Sequence, residues 1–117
     1  MSNYRKLEVW KDSCLFAKNI YEEVRTWRDF GLRDQVTRSA VSIASNIAEG
    51  SDRGTDKEFS RFLSISKASC EECRTQLHIA HLIGYISFEA FESLDNSAAS
   101  ISNRIGALIK YLKNSRP

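Results

Sequence analysis

Apolar residues recur every three to four positions along most of the chain, a spacing typical of amphipathic helices. Short polar or glycine-containing stretches divide this pattern into four segments. It predicts helices over residues 7–27, 32–49, 56–84 and 88–113. Gly31 separates the first two, Gly50 offers a C-terminal cap, and Thr55 or Asp56 caps the third.

Each predicted helix has one apolar stripe that should face a core. The stripes comprise Trp10, Cys14, Ala17, Tyr21 and Val24, widened on one side by Val9, Phe16, Ile20 and Trp27; Leu32, Val36, Ala40, Ile43 and Ile47; Phe59, Phe62, Leu63, Cys70, Cys73 and Leu77; and Leu94, Ala98, Ile101, Ile105, Leu108 and Leu112. Short connections make consecutive helices antiparallel. The sequence therefore predicts an all-α, up-down-up-down four-helix bundle that forms one domain over residues 1–117.

The third helix carries a second apolar face on a different side from its core stripe. This face consists of Ile65, Ala68, Ile79 and Ile83, and Glu72 interrupts it. Exposed apolar patches on small domains commonly bind partners, although single surface isoleucines are also normal. We therefore predict that this face is an oligomer interface.

The composition narrows the class of protein. Seventeen basic and fifteen acidic residues give a net charge of +2, which is not the footprint of an obligate nucleic-acid binder. No apolar run is long enough to span a bilayer or resembles a secretory signal, so we expect a cytoplasmic protein without a membrane role. Three cysteines, an odd number, favour free thiols.

One local charge bias occurs near the C-terminus. From residue 102 to 117 the chain has no acidic residue but contains Arg104, Lys110, Lys113 and Arg116. These cations either complement the dipole of the last helix or form a binding patch.

Two groups of residues suggest chemistry. Cys70, Cys73, His78 and His81 are potential zinc ligands, but on one helix the first and last lie about 16 Å apart, too far to share an ion. We therefore predict no metal and no cofactor, with Cys70 and Cys73 in the core.

Arg74 and His81 share a helix face with the spacing of some helical ribonucleases. In the alternative interpretation Arg74 is a solvated surface residue and His81 borders the core. No second acid, base or nucleophile accompanies them, so we predict that the protein is not an enzyme.

Residues 32–50, which begin Leu-Arg-Asp-Gln-Val and end Asn-Ile-Ala-Glu-Gly, resemble the signature of a bacterial four-helix-bundle family. The family is named after proteins encoded in intervening sequences of 23S ribosomal RNA genes. The likeness continues through residues 58–69 and includes residues 4–10, so it covers nearly the whole chain. The family is similar in fold to the accessory protein of diversity-generating retroelements, a pentameric barrel that binds nucleic acid and a reverse transcriptase. This resemblance implies a ring-shaped homopentamer and an RNA or ribonucleoprotein partner.

The family's characteristic polar positions fall on Gln35, Arg38, Asn46, Glu49 and Arg53. Their arginines would contact phosphates, or the set would instead stabilise the helix end and its loop. The candidate nucleic-acid-binding residues are Arg38, Arg53, Arg104, Lys110 and Lys113. The preferred function is a non-enzymatic oligomeric scaffold that acts as an RNA or ribonucleoprotein adaptor; the alternatives are a purely structural oligomer and a ribonuclease.

Overall fold

The computed structural model describes residues 3–114 as four long helices preceded by one turn of 3-10 helix at Tyr4–Lys6. The helices are α1 (Glu8–Val24), α2 (Phe30–Ser51), α3 (Asp56–Leu82) and α4 (Phe88–Asn114). Each helix packs against the next, and α1 also packs against α4, which closes a bundle of 50 × 20 × 20 Å. The predicted all-α fold is confirmed, and the contacts are those of an antiparallel up-down bundle. No helix within residues 3–114 is long and apolar enough to cross a membrane.

The connection between α1 and α2 differs from the prediction. α1 ends at Val24 rather than at residue 27, although Trp27 remains buried and stacks on Tyr85 with 5.6 Å between ring centroids. α2 begins at Phe30 because the Asp29 side chain accepts a hydrogen bond from the Leu32 amide at 3.0 Å. Gly31 therefore lies inside the first helical turn instead of between the helices.

Gly50 is a packing residue and not the predicted helix cap. α2 continues to Ser51, and the Asp52 amide bonds back to the Ala48 carbonyl oxygen at 3.2 Å. Gly50 is buried against α3, where an added Cβ would overlap the Cβ of Phe62. The absence of a side chain lets the end of α2 approach the start of α3.

The sequence predicted Thr55 or Asp56 as the N-cap of α3 and placed the end of the helix at residue 84. Thr55 is the cap, since its hydroxyl accepts a hydrogen bond from the Glu58 amide at 3.2 Å. The helix ends at Leu82, two residues early, and Gly84 follows with a φ of +87° that favours glycine. Cys70 and Cys73 are fully buried, as predicted.

The core face of α1 is rotated relative to the predicted stripe. Val9, Phe16, Ile20 and Trp27, which were expected only to widen it, are buried, whereas Tyr21 is 55% exposed. Trp10, Cys14 and Ala17 are half-buried. The centre of the core face is Ser13, which can be buried because its hydroxyl donates to the Val9 carbonyl at 2.7 Å. Much of the predicted stripe therefore lines the bundle surface beside α2.

Candidate functional site

Most of the sequence-predicted residues lie on α2 and α3: the family's characteristic polar positions are on α2 and in the loop after it, and the second apolar face is on α3 and the residue that follows it. A line of small polar contacts joins the two helices. The Ser42 and Ser69 hydroxyls lie 2.9 Å apart, and the Asn46 amide nitrogen donates to Ser42 at 2.9 Å. Asn46 thus bonds within α2 to the serine that contacts α3, and its amide nitrogen is engaged there.

Deeper in the same seam are three residues whose buried hydrogen bonds were not predicted from the sequence. Ser66 donates a 2.7 Å hydrogen bond to the Ile43 carbonyl, and the Ser39 hydroxyl lies 2.8 Å from Gln76 Oε1. The side chains of Ser39, Ser66 and Gln76 are buried. Polar residues recurring at three- to four-residue spacing beside an apolar stripe were the available signal for such an interhelical seam.

The second apolar face of α3 is solvent-exposed. We call Ile65, Ala68, Ile79 and Ile83, the last of which directly follows α3, the α3 ridge. Its isoleucines are 40%, 44% and 56% exposed, and Ala68 is exposed too. Glu72 lies among them, is exposed, and forms no ion pair with any residue in 3–114. The role of the ridge as an oligomer interface stays a prediction.

Two signature residues at the end of α2 stabilise the bundle. Arg53 pairs with Glu49 at 2.9 Å, and its guanidinium lies 4.7 Å from the centroid of the Phe62 ring. Arg61 lies 4.8 Å from the same ring and pairs with Glu58 at 3.0 Å. These contacts favour the structural interpretation of Glu49 and Arg53 over a phosphate site.

The five candidate nucleic-acid-binding cations do not form one patch. Arg104 pairs with Asp12 of α1 at 2.8 Å. Arg38, Lys110 and Lys113 are exposed and form no ion pair with residues 3–114. Gln35, the remaining signature residue, is exposed too. Arg38 is on α2, whereas the two lysines are on α4, and these helices do not touch in the described part of the chain. Arg116 lies outside the described residues.

Arg74 is partly exposed, but its guanidinium is bound by carboxylates, a contact that the sequence did not predict. Its guanidinium binds Asp95 of α4 at 2.8 Å and Glu71 at 3.2 Å. The hydrogen bond to Asp95 raises the pKa of Arg74, opposed by partial burial and assisted by the charges of Asp95 and Glu71. Glu71 accepts from Ser102 at 3.1 Å, and Lys67 donates to Ser102 at 3.1 Å, so one polar chain crosses α3 and α4.

His81 has its own, separate surroundings. Its ring stacks on Phe91 with 5.4 Å between centroids and an interplanar angle of 14°, and Nδ1 lies 3.3 Å from the Ile86 carbonyl oxygen. The guanidinium of Arg74 is held by carboxylates, whereas the His81 ring stacks on an aromatic side chain. Within residues 3–114 no three histidine, cysteine or carboxylate side chains are placed to bind a metal ion.

A groove follows the junction of α1 and α2, on a different face from the α3 ridge. Its apolar half has a volume of about 350 Å³ and is lined by the predicted α1 stripe and by small α2 residues: Tyr4, Trp10, Cys14, Ala17, Val41, Ala44, Ser45 and Ala48. A second hollow, of about 420 Å³, is lined by Tyr21, Arg25, Arg33, Asp34 and Thr37. The surface between the two hollows is formed by residues that include Tyr21 and Val41. Arg38 borders the junction of the two halves. We call the whole feature the α1–α2 groove.

Comparison with known proteins identifies the family. The family model described as 23S rRNA-intervening sequence protein matches residues 5–107. The chain is also similar to a crystal structure of a protein with unknown function from the S23 ribosomal protein family of Bacteroides thetaiotaomicron VPI-5482, with a TM-score of 0.82 and 28% identity over 87% of this chain and 98% of that one. No curated protein gives a significant match. The chain thus belongs to the family of 23S rRNA-intervening sequence proteins.

Proposed function

We propose that this chain is a non-enzymatic scaffold that assembles with copies of itself. The observation that carries the proposal is the α3 ridge, in which three isoleucines stay exposed along one face of a bundle whose core is otherwise closed. Burying the remaining apolar surface of such a side chain stabilises an interface by about 1 kcal/mol. A ridge of several residues, repeated in every subunit, supplies the driving force for association.

The surroundings of the candidate catalytic groups support a role without catalysis. The Arg74 guanidinium binds two carboxylates, and His81 stacks on Phe91. A phosphate-binding arginine needs free donors, and a proton-transferring histidine needs to reach the same substrate. The carboxylates engage much of the Arg74 guanidinium, and the aromatic stacking of His81 is a packing contact; both support a role without catalysis. A purified preparation that cleaves RNA, and loses the activity on His81→Ala, would contradict this part of the proposal.

Self-assembly is tested by measuring the absolute mass of the purified protein with light scattering across a concentration series. We expect a defined oligomer, with the ring-shaped homopentamer implied by the family resemblance as the preferred size. Ile79→Glu and Ile83→Glu should lower the mass, because each places an uncompensated charge in the interface.

Leu15→Glu is the matched control, since it changes an exposed apolar residue of α1 that is not part of the ridge. Circular dichroism should show unchanged helix content in all three variants. A wild-type protein that stays monomeric at high concentration would overturn the proposal. So would a ridge variant that retains the wild-type mass.

We propose as a second candidate that the assembled scaffold is an RNA or ribonucleoprotein adaptor. Lys110 and Lys113 support it, because their exposed charges have no ion-pair partner within residues 3–114. From residue 96 to 114, α4 carries no acidic side chain. Repeated around a ring, these cations would present a basic surface to phosphates.

The adaptor candidate is tested by titrating fluorescent single-stranded RNA at several salt concentrations. We expect affinity to fall steeply with salt, and Lys110→Glu/Lys113→Glu to flatten that dependence, since each lost phosphate contact lowers the salt slope by about 1. Glu92→Lys, on the same helix, controls for a general charge effect in the opposite direction. Absence of binding at low salt would leave a purely structural oligomer.

A further inference from the structure

We propose that the α3 ridge of one subunit inserts into the α1–α2 groove of the next copy, so that the chain assembles head to tail. This inference rests on the proposed self-assembly and names the surface that the ridge contacts. The ridge and the groove lie on different faces of the same bundle, and each leaves apolar surface uncovered.

The groove suits a helix from a second copy. Its walls include the α1 stripe that the sequence predicts to be buried, and Trp10, Cys14 and Ala17 are only half-covered within one chain. Along α2 the lining runs over 15 positions, from 33 to 48, or about 22 Å, and the ridge runs over 18 positions, from 65 to 83, or about 27 Å. The floor of small side chains allows a close helical approach.

Charge fixes the register of this contact. Glu72 interrupts the ridge, and Arg38 stands where the two halves of the groove meet; neither has an ion-pair partner within residues 3–114. The second hollow also contains Arg25 and Arg33 against a single carboxylate, that of Asp34, so it is net positive. A carboxylate buried beside isoleucines needs a cation, and Arg38 of the neighbouring copy supplies one.

The spacing on the two helices agrees with this pairing. Ile65 and Ile79 each lie seven residues from Glu72, and Ser45, in the apolar half of the groove, lies seven residues from Arg38. When Glu72 meets Arg38, one of the two isoleucines therefore reaches the apolar half beside Cys14. The direction of the incoming helix decides which one.

The two surfaces are not self-complementary. A two-fold contact of ridge on ridge centred on Glu72 would oppose two Glu72 side chains, and any such contact would leave both grooves empty. A contact of ridge in groove uses a different surface on each partner, which is a heterologous interface and closes into a ring when the rotation permits.

A charge reversal tests the pairing in the full chain. Arg38→Glu and Glu72→Arg should each weaken assembly by about tenfold or more in the apparent dissociation constant, and the double variant should recover most of that loss. Arg28→Glu and Glu92→Arg, both exposed and without ion-pair partners among residues 3–114, make the same changes of charge elsewhere and should have no effect. A double variant that assembles no better than the single variants would overturn the pairing.

Cross-linking tests the same contact without relying on charge. Cys14 is the only cysteine that is not fully buried, so it reports the groove. We expect Ile65→Cys or Ile79→Cys, but not both, to form an intersubunit disulfide with Cys14 when diamide is the oxidant, and Cys14→Ser to abolish the link. Links that persist after Cys14→Ser would indicate ridge on ridge and overturn the proposal, as would the absence of any link.

The outcomes separate this inference from the proposed function. A monomeric wild type refutes self-assembly itself. An oligomer that ignores both charge reversals and cross-links elsewhere refutes only the ridge-in-groove contact. An assembly that ribonuclease dissolves places nucleic acid in the contact and also refutes the inference.

Discussion

Gly50 carries more of the packing than its place at the end of a helix indicates. A glycine after an apolar run is the usual signal of a C-terminal cap, and only the approach of Phe62 shows that the position has no room for a side chain. We predict that Gly50→Ala destabilises the fold by about 1–3 kcal/mol through overpacking, measured by urea denaturation.

Gly31→Ala, in the first turn of the same helix, is the matched control for this substitution. There an added Cβ meets only the Asp29 carboxylate oxygen, at an ordinary 3.5 Å. It should leave stability unchanged or raise it by up to about 1 kcal/mol, because alanine favours the helix. Equal effects of the two substitutions would show that α2 and α3 do not approach closely at Gly50.

The cysteines divide into one accessible and two inaccessible thiols. Burial raises the pKa of Cys70 to about 12 and that of Cys73 to about 11, from an ordinary value of 9.0. In the Ile83→Glu variant, whose α1–α2 groove is left open, we expect a thiol-reactive dye to label one cysteine, Cys14, and in denaturant all three. Rapid labelling of more than one native thiol would contradict the buried placement.

The same pKa shifts predict how stability depends on pH. A thiol whose folded pKa is raised keeps its full contribution below pH 9, and the contribution falls as pH rises toward 11–12, because only the unfolded chain ionises freely. The free energy of unfolding should therefore decrease from pH 9 upward, and this slope should be smaller in Cys70→Ala/Cys73→Ala. An identical slope in that variant would assign the alkaline loss to other groups.

Helix pairs differ in the kind of contact that joins them, and this limits what sequence alone can predict. Apolar periodicity sufficed for four helices and for the stripes of α2, α3 and α4, because those stripes are mainly apolar. Apolar periodicity misplaced the core face of α1, because the centre of that face is a polar residue, Ser13. Ser13 can be buried because its hydroxyl donates a hydrogen bond to a carbonyl of the same helix. Arg74 and Asp95 are 21 positions apart, and no local pattern reveals that they meet.

The Arg74–Asp95 ion pair between α3 and α4 should have a larger coupling free energy than the more exposed Arg53–Glu49 pair. The Arg74 and Asp95 side chains are 33% and 25% exposed, whereas Arg53 and Glu49 are 46% and 55% exposed. In double-mutant cycles we expect a coupling of about 1 kcal/mol for Arg74–Asp95 and of about 0.5 kcal/mol or less for Arg53–Glu49. Equal coupling energies would mean that partial burial does not strengthen the interhelical pair.

For the whole molecule, the candidate site was predicted in part. The exposure of Ile65, Ala68, Ile79 and Ile83 follows from their position on the helical wheel, and the structure places them on the surface. The α1–α2 groove was not predicted, because its existence depends on how far α1 stands from α2. The pairing of Arg53 and Arg104 with carboxylates likewise depends on rotamers and on neighbouring helices.

Self-assembly also predicts the thermal behaviour of the whole protein. A folded oligomer in equilibrium with unfolded chains becomes more stable as concentration rises, so Tm should increase between micromolar and hundred-micromolar protein. Ile83→Glu should melt at the same temperature throughout that range. A wild-type Tm independent of concentration would argue that no oligomer contributes to stability.

The position of α1 between two hollows has a consequence for how the fold opens. The α1–α2 groove lies on one side of it, and on the other a hollow of about 430 Å³ separates it from α4, beside the Asp12–Arg104 pair. α3, by contrast, is joined to both neighbours by buried serines and a chain of charges. In the Ile83→Glu variant, whose groove is left open, amide hydrogens of α1 should therefore exchange with deuterium well before those of α3, so the first helix would detach as a unit while the remaining three stay paired.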